Sequence, residues 1–377
     1  MAVNTDFIRS LPRHEKDAPR RWPVRFDAVL LALLLTTICF GLVVLLSASG
    51  KDWNTVLTQL TRIGLGCVAM LVIAQLPPDF FRQVAVWAYV GVVLLLVLVL
   101  FFEPVKGSRR WIRIPGLFGF QPSEMAKLAV PMMVATFMCQ RPLPPRLVDV
   151  LLALVILAVP TLLIAVEPDL GTSVLIAAAG FGVLMFAGIY WRWVFLAGGA
   201  VIAALPLLWL VMKEYQRNRV LTLIDPERDP LGTGWNTIQA MTAIGSGGVF
   251  GKGLFNGTQS HLDFLPEGST DFIVAVLAEE FGLLGVLVLQ LLYVAIVGRG
   301  MVIVSRTRDP FARMLGGSLV LTFFVYAFVN MAMVSGIAPV VGVPLPLVSY
   351  GGTAMITLLA GFGILMSIHS HQVQARH

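Results

Sequence analysis

Charge is scarce in this chain. Only 13% of its 377 residues are Asp, Glu, Lys or Arg, while 57% are hydrophobic. Soluble domains carry about 25% charged and roughly 45–50% apolar residues, so the composition argues against a water-soluble fold. The same hydrophobicity excludes disorder. Cysteine is limited to Cys39, Cys67 and Cys139, all within apolar runs, so no disulfide framework is implied. Of five histidines only His261 falls in an outer polar loop, with no Cys or His at ligand spacing, which argues against zinc. No Ser-His-Asp order or nucleophile elbow is evident, and no internal repeat of about 20–50 residues. The net charge is +6, but the basic residues are spread between apolar runs. No basic module for nucleic acid results, and none is expected as a partner.

What the chain has is long apolar runs. A membrane span needs about 20 mostly apolar residues. Ten stretches qualify: 28–48, 59–76, 84–102, 122–140, 148–166, 170–189, 191–212, 272–298, 313–336 and 350–369. Pro, Gly or charge marks nearly every break, as at Pro77-Pro78 and Glu167-Pro168-Asp169. The expected fold is all-α: a polytopic membrane protein with ten transmembrane helices and one long extracytoplasmic loop. Residues 1–27 form a polar N-terminal arm, and 28–377 a single transmembrane domain. The first run is too long, and too far behind the arm, for a cleaved signal peptide.

Lys and Arg give the orientation. With ten spans both termini share a side. That side gathers the six basic residues of the arm with Arg82, Arg141, Arg146, Arg192, Arg299, Arg306, Arg308, Arg313 and Arg376. Both termini are therefore expected in the cytoplasm, and loop 213–270, between spans seven and eight, outside. Nine spans would strand the C-terminal arginines on the wrong side.

Several cations then lie outside, against the usual bias. Lys106, Arg109, Arg110 and Arg113 crowd one short loop, and Arg217 and Arg219 enter the long one. Either the rule is loosely obeyed, or the outer face binds an anion such as a lipid phosphate, which the planar Arg fork suits. The glycine-rich run Gly245-Ser246-Gly247-Gly248-Val249-Phe250-Gly251-Lys252-Gly253 fails as a nucleotide loop. Ser246 stands where the first Gly belongs, and Gly253 follows Lys252 in place of Ser or Thr. A backbone approach to an anion and a flexible turn both remain open.

Three features place chemistry at membrane depth. Asp271 opens the eighth span near the outer interface. It serves either as a helix cap or as a general base or divalent-cation ligand. Glu124 and Lys127 are three residues apart on one helix face. They form a self-satisfied pair or line a cavity, and the cost of intramembrane charge favours the cavity. Glu279 and Glu280 lie two turns into the eighth span, and nothing local assigns them.

These residues carry a family resemblance over essentially the whole chain after the arm. The last stretch has Asn330, Gly336-Ile337-Ala338-Pro339, Gly342 and Leu347-Val348-Ser349-Tyr350-Gly351-Gly352-Thr353. Upstream are Arg110-Trp111 with Gln121-Pro122-Ser123-Glu124 and Lys127, then Pro168-Asp169-Leu170-Gly171-Thr172, then Leu265-Pro266-Glu267 with Thr270-Asp271-Phe272. The chain resembles the SEDS family (shape, elongation, division, sporulation). Gly257-Thr258-Gln259-Ser260 and Ala278-Glu279-Glu280 look more like its elongation branch than its division branch.

The resemblance implies a peptidoglycan glycosyltransferase of the bacterial inner membrane that polymerises lipid II on the outer face. It implies a class B penicillin-binding protein and other elongation-complex proteins as partners, and Asp271 as the catalytic residue. Arg109, Arg110, Trp111, Glu124, Lys127, Arg217, Arg219, Lys252 and Ser349 are then expected at the substrate. Mg²⁺ or Mn²⁺ on Asp271 is the expected cofactor. An α-linked donor giving a β-1,4 product needs one base and no enzyme nucleophile, which suits a chain without an activated Ser or Cys. A lipid II flippase is the alternative, though no inverted repeat is evident.

Overall fold

Carboxylates and prolines set where the helices begin. The computed structural model describes residues 26–102, 110–112, 119–167, 169–212, 214–225, 233–261 and 267–374. The first helices are α1 Ala28–Ala48, α2 Trp53–Ala74, α3 Pro78–Val99, α4 Pro122–Cys139 and α5 Leu147–Val166. Next come α6 Leu170–Phe186, α7 Trp191–Val211, α8 Glu214–Ile224, α9 Thr233–Gly247 and α10 Thr258–His261. The chain ends with α11 Ile273–Ser305, α12 Pro310–Val334 and α13 Thr353–Gln374. No strand occurs among the described residues, apart from one antiparallel bridge between Ile112 and Phe120.

The fold is that of a polytopic helical membrane protein. Seven helices (α1, α2, α3, α5, α11, α12 and α13) are long and apolar enough to cross a membrane. Of the other long helices, α6 has only 17 residues, while α7 is apolar along nearly all of its 21. The helix α4 carries Glu124 and Lys127 and is buried along most of its length, so its neighbours are protein rather than lipid.

Two helices start earlier than their apolar runs. The α2 helix begins at Trp53 because the Asp52 carboxylate accepts from Asn54 N at 3.0 Å, and α3 begins with Pro78 in its first turn. Both are N-terminal devices that lie outside a hydropathy signal. The centre of the molecule is α4, α6, α12 and α13, with α4 packed on α3, α6 and α12, and α13 on α2. At one end Asp27 caps α1 and pairs with Arg299 of α11 at 2.5 Å and His369 of α13 at 3.4 Å.

The eighth apolar run is not one continuous helix. Gly282 inside α11 has φ 65° and ψ −163°, a conformation essentially restricted to glycine. The glycine-rich run fills the break. Lys252 N and Gly253 N donate to the carbonyls of Glu279 and Glu280, at 3.0 and 2.9 Å, while Leu283 N and Leu284 N donate to those of Gly248 and Val249, at 3.0 and 3.2 Å. A Cβ at Gly282 would lie 2.3 Å from Gly251 N, and one at Gly251 only 2.1 Å from Glu280 O. The glycines therefore serve backbone-to-backbone packing. The N–H groups of residues 251–253 are committed to protein carbonyls, which corrects the anion-cradle reading.

Candidate active site

A cleft of about 360 Å³ opens between α4, α6, α12, α13 and the segment before α11. Local devices set Arg110 and Asp169 on its wall. The Ile112–Phe120 bridge, with its two N–H···O bonds of 3.0 and 3.1 Å, brings Arg110 and Trp111 beside Gln121. Gln121 precedes Pro122, the first residue of α4. Asp169 caps α6, accepting from Thr172 N at 3.1 Å through Oδ1. Its Oδ2 accepts from Gln121 Nε2 at 2.9 Å and lies 3.7 Å from Arg110 Nη1. Asp169 is thus the joint between the Arg110–Ile112 segment, α4 and α6.

Deeper in the cleft, Lys127 Nζ lies 2.7 Å from Glu124 Oε1 and 4.7 Å from the centre of the Tyr326 ring. Glu124 Oε2 is buried without a hydrogen-bond partner among the described residues. The pair thus lines the cavity and is only partly satisfied by itself.

Asp271 faces the same cleft. The N-cap of α11 is Phe272, and among the described residues no side chain caps that helix. The capping reading of Asp271 therefore fails, and its carboxylate is left to the cleft. Its main chain is pinned instead. Asn330 Nδ2 donates to the Asp271 carbonyl at 2.8 Å, Ser349 Oγ donates to the Thr270 carbonyl, and Tyr350 N donates to Ser269 O at 2.9 Å. Gln59 of α2 holds the 349–351 segment in turn, donating to Ser349 O at 3.2 Å and accepting from Gly351 N at 3.3 Å. Burial, aided by the nearby Glu267 carboxylate and opposed by Arg110, pushes the Asp271 carboxyl up to about 6. Burial and Asp169 push Glu167, just behind the cleft, up to about 8.

A family model for cell cycle proteins of the FtsW, RodA and SpoVE group matches residues 27–374. The chain belongs to that family. It is 50% identical, over 93% of its own length and 95% of the relative's, to the peptidoglycan glycosyltransferase MrdB of Escherichia coli strain K12. Among solved structures it is similar to a chain of a peptidoglycan synthase complex studied for how polymerization and crosslinking are coordinated. That match has a TM-score of 0.81 and 30% identity, and covers 93% of this chain and 99% of that one. It is also similar to the rod shape determining protein RodA of Thermus thermophilus, with a TM-score of 0.69, 26% identity and coverage of 91% and 96%.

In this family member the structure brings Arg110, Trp111, Glu124, Lys127 and Asp271 into one cleft. Ser349 stands behind it as a support for the Asp271 segment. Arg217 is not brought there: it donates to the Trp209 and Leu210 carbonyls at 2.9 and 2.8 Å, at the end of α7. Lys252 is not brought there either, and pairs with Glu279 at 2.8 Å. Both had seemed available because charge counting ignores local partners. Arg109 and the side chain of Arg219 lie outside the described residues. Sequence reasoning passed over Gln121, Asp169, Thr172 and Tyr326 as site residues, although all line the cleft. Asp169, in a helix-start position beside Glu167-Pro168, was the most accessible of these signals.

Proposed function

We propose that this chain is a peptidoglycan glycosyltransferase that polymerises lipid II by inverting displacement, with Asp271 as the base. The observation that supports it is the coexistence, in one cleft, of an uncapped carboxylate, two cations and an apolar extension. The extension shares Glu124, Lys127, Tyr326 and Ala354 with the cleft and continues along Leu128, Leu319, Phe323 and Phe362. A polar head with a polyprenyl tail fits that sequence of surfaces.

The chemistry follows from the side chains. The 4-hydroxyl of the acceptor sugar attacks C1 of the donor. A C1–O bond to that hydroxyl forms as the C1–O bond to the pyrophosphate breaks, with inversion. The hydroxyl proton passes to the Asp271 carboxylate and then to water. Arg110 and Lys127 offset the charge growing on the leaving pyrophosphate. A base whose pKa is near 6 is well matched to neutral operation. Asp271 and Glu267 both face the cleft, a donor set that fits Mg²⁺ or Mn²⁺ completed by substrate oxygens and water. Such an ion would supply further charge neutralisation when bound.

In this reading the chain lies in the inner membrane with ten spans, α1–α7 and α11–α13, both termini cytoplasmic and the cleft facing the periplasm. The arginine distribution supports this, as does the gathering of Asp27, Arg299 and His369 at one end. A class B penicillin-binding protein is the proposed transpeptidase partner, within an elongation complex. The test is glycan synthesis from lipid II by the purified chain in detergent, alone and with its partner. Polymer is expected, and its absence under both conditions would remove the enzyme reading and favour lipid transport.

A further inference from the structure

We infer that the loop inserted into α11 is a positioning device for Asp271, latched by Lys252 on Glu279; this rests on the reading of Asp271 as the base. The break at Gly282 makes Ile273–Phe281 a short helix of its own, with Asp271 just before its first residue. Its outer end is pinned through Asn330 and Ser349. Its inner end has no helical continuation to hold it. The loop supplies that hold.

Glu279, whose side chain is fully buried, accepts through Oε1 from Lys252 Nζ at 2.8 Å, from Thr258 N at 2.8 Å and from Gln259 N at 2.9 Å. The same oxygen lies 3.0 Å from Thr258 Oγ1, which in turn lies 2.7 Å from Lys252 Nζ. Glu280, the next residue, accepts from Ser47 Oγ of α1 at 2.5 Å. Charge-assisted bonds of this kind are the strong ones. They converge on the last turn of the short helix, and the loop backbone bonds to the same turn. A shift there would be carried along two turns of helix to Asp271.

None of these residues lines the cleft, so Lys252 and Glu279 are positioning residues rather than catalytic ones. Misplacement of a reacting group by about 1 Å costs roughly 10²-fold in rate. Lys252→Met should therefore lower kcat by about tenfold or more with KM for lipid II little changed. Lys252→Arg, which keeps the charge, should recover most of the loss. Amide hydrogen exchange should quicken at residues 270–276 in Lys252→Met, measured on full-length protein in detergent. Glu279→Gln, which retains its acceptor oxygen for the Thr258 and Gln259 N–H groups, serves as a milder second variant should Lys252→Met fail to fold.

Wild-type kcat per folded molecule would overturn the inference, as would a fall in kcat with unaltered exchange at 270–276. Failure of the base reading looks different: Asp271→Asn would then polymerise normally, and the exchange measurement alone would judge whether the loop holds the segment.

Discussion

Asn330 and Asp271 are joined main chain to side chain: the Asn330 amide donates to the Asp271 carbonyl at 2.8 Å and to the Val343 carbonyl at 2.6 Å. One buried side chain thereby ties α12 to both walls of the cleft. Leaving a buried carbonyl without a donor costs about 1–3 kcal/mol. Asn330→Leu should lower the thermal midpoint and slow polymerisation together. Asn330→Asp should do no better at neutral pH, because an ionised carboxylate cannot donate. Thermal unfolding and turnover of the two variants check this. An Asp variant that matches wild type would show the bonds to be dispensable.

The Glu124–Lys127 pair separates packing from function. Breaking a buried pair by deleting one member costs about 3–5 kcal/mol, while removing both strands no charge. Glu124→Ala should therefore be strongly destabilised, and Glu124→Ala with Lys127→Ala should regain much of the thermal stability. Since both residues line the cleft, the double variant should still be inactive. Recovery of activity along with stability would assign the pair to packing alone.

The pH dependence has a defined sign. Burial first, then Glu267, raises the Asp271 carboxyl from 3.8 to about 6. A base must be ionised to act, so kcat/KM should fall on the acid side with a midpoint near 6. Stability runs the other way. The contribution of a group raised on folding is fully present below its unfolded pKa and is lost as pH rises through the folded value. Above about 6, holding the ionised form costs on the order of 3 kcal/mol. Asp271→Asn should thus unfold at a higher temperature than wild type at pH 8, with the gap closing by pH 3.5. An acid limb centred near 4 would contradict the assignment.

A divalent ion held by few carboxylates binds weakly without its substrate. Chelation should suppress polymerisation, and Mg²⁺ or Mn²⁺ should restore it, while calorimetry of the substrate-free protein should detect little binding. Full turnover in excess chelator, with lipid II stripped of metal beforehand, would leave neutralisation of the leaving group to Arg110 and Lys127.

The helical architecture was legible because apolar runs of span length have few other solutions. Helix starts were less so: Asp52 acts through a side-chain cap and Pro78 through its fixed backbone angle, and hydropathy registers neither. Asp271 stood out by position, but its freedom from capping duty depends on Phe272 taking the N-cap. The break at Gly282 was invisible, since one glycine in an apolar run reads as tolerated packing. Lys252 and Arg217 were drawn toward the substrate by charge alone, whereas each finds a partner nearby. Gln59 and Tyr326 reach the site from helices far along the chain, a proximity that only the fold creates.

The most direct test is polymerisation of lipid II by purified Asp271→Asn, inserted and partner-bound as wild type is, with product strands resolved by length. The account predicts no polymer at neutral pH from a variant at least as stable as the parent. Strands formed at near wild-type rate would contradict it, ending the base and the metal-ligand roles of Asp271 together.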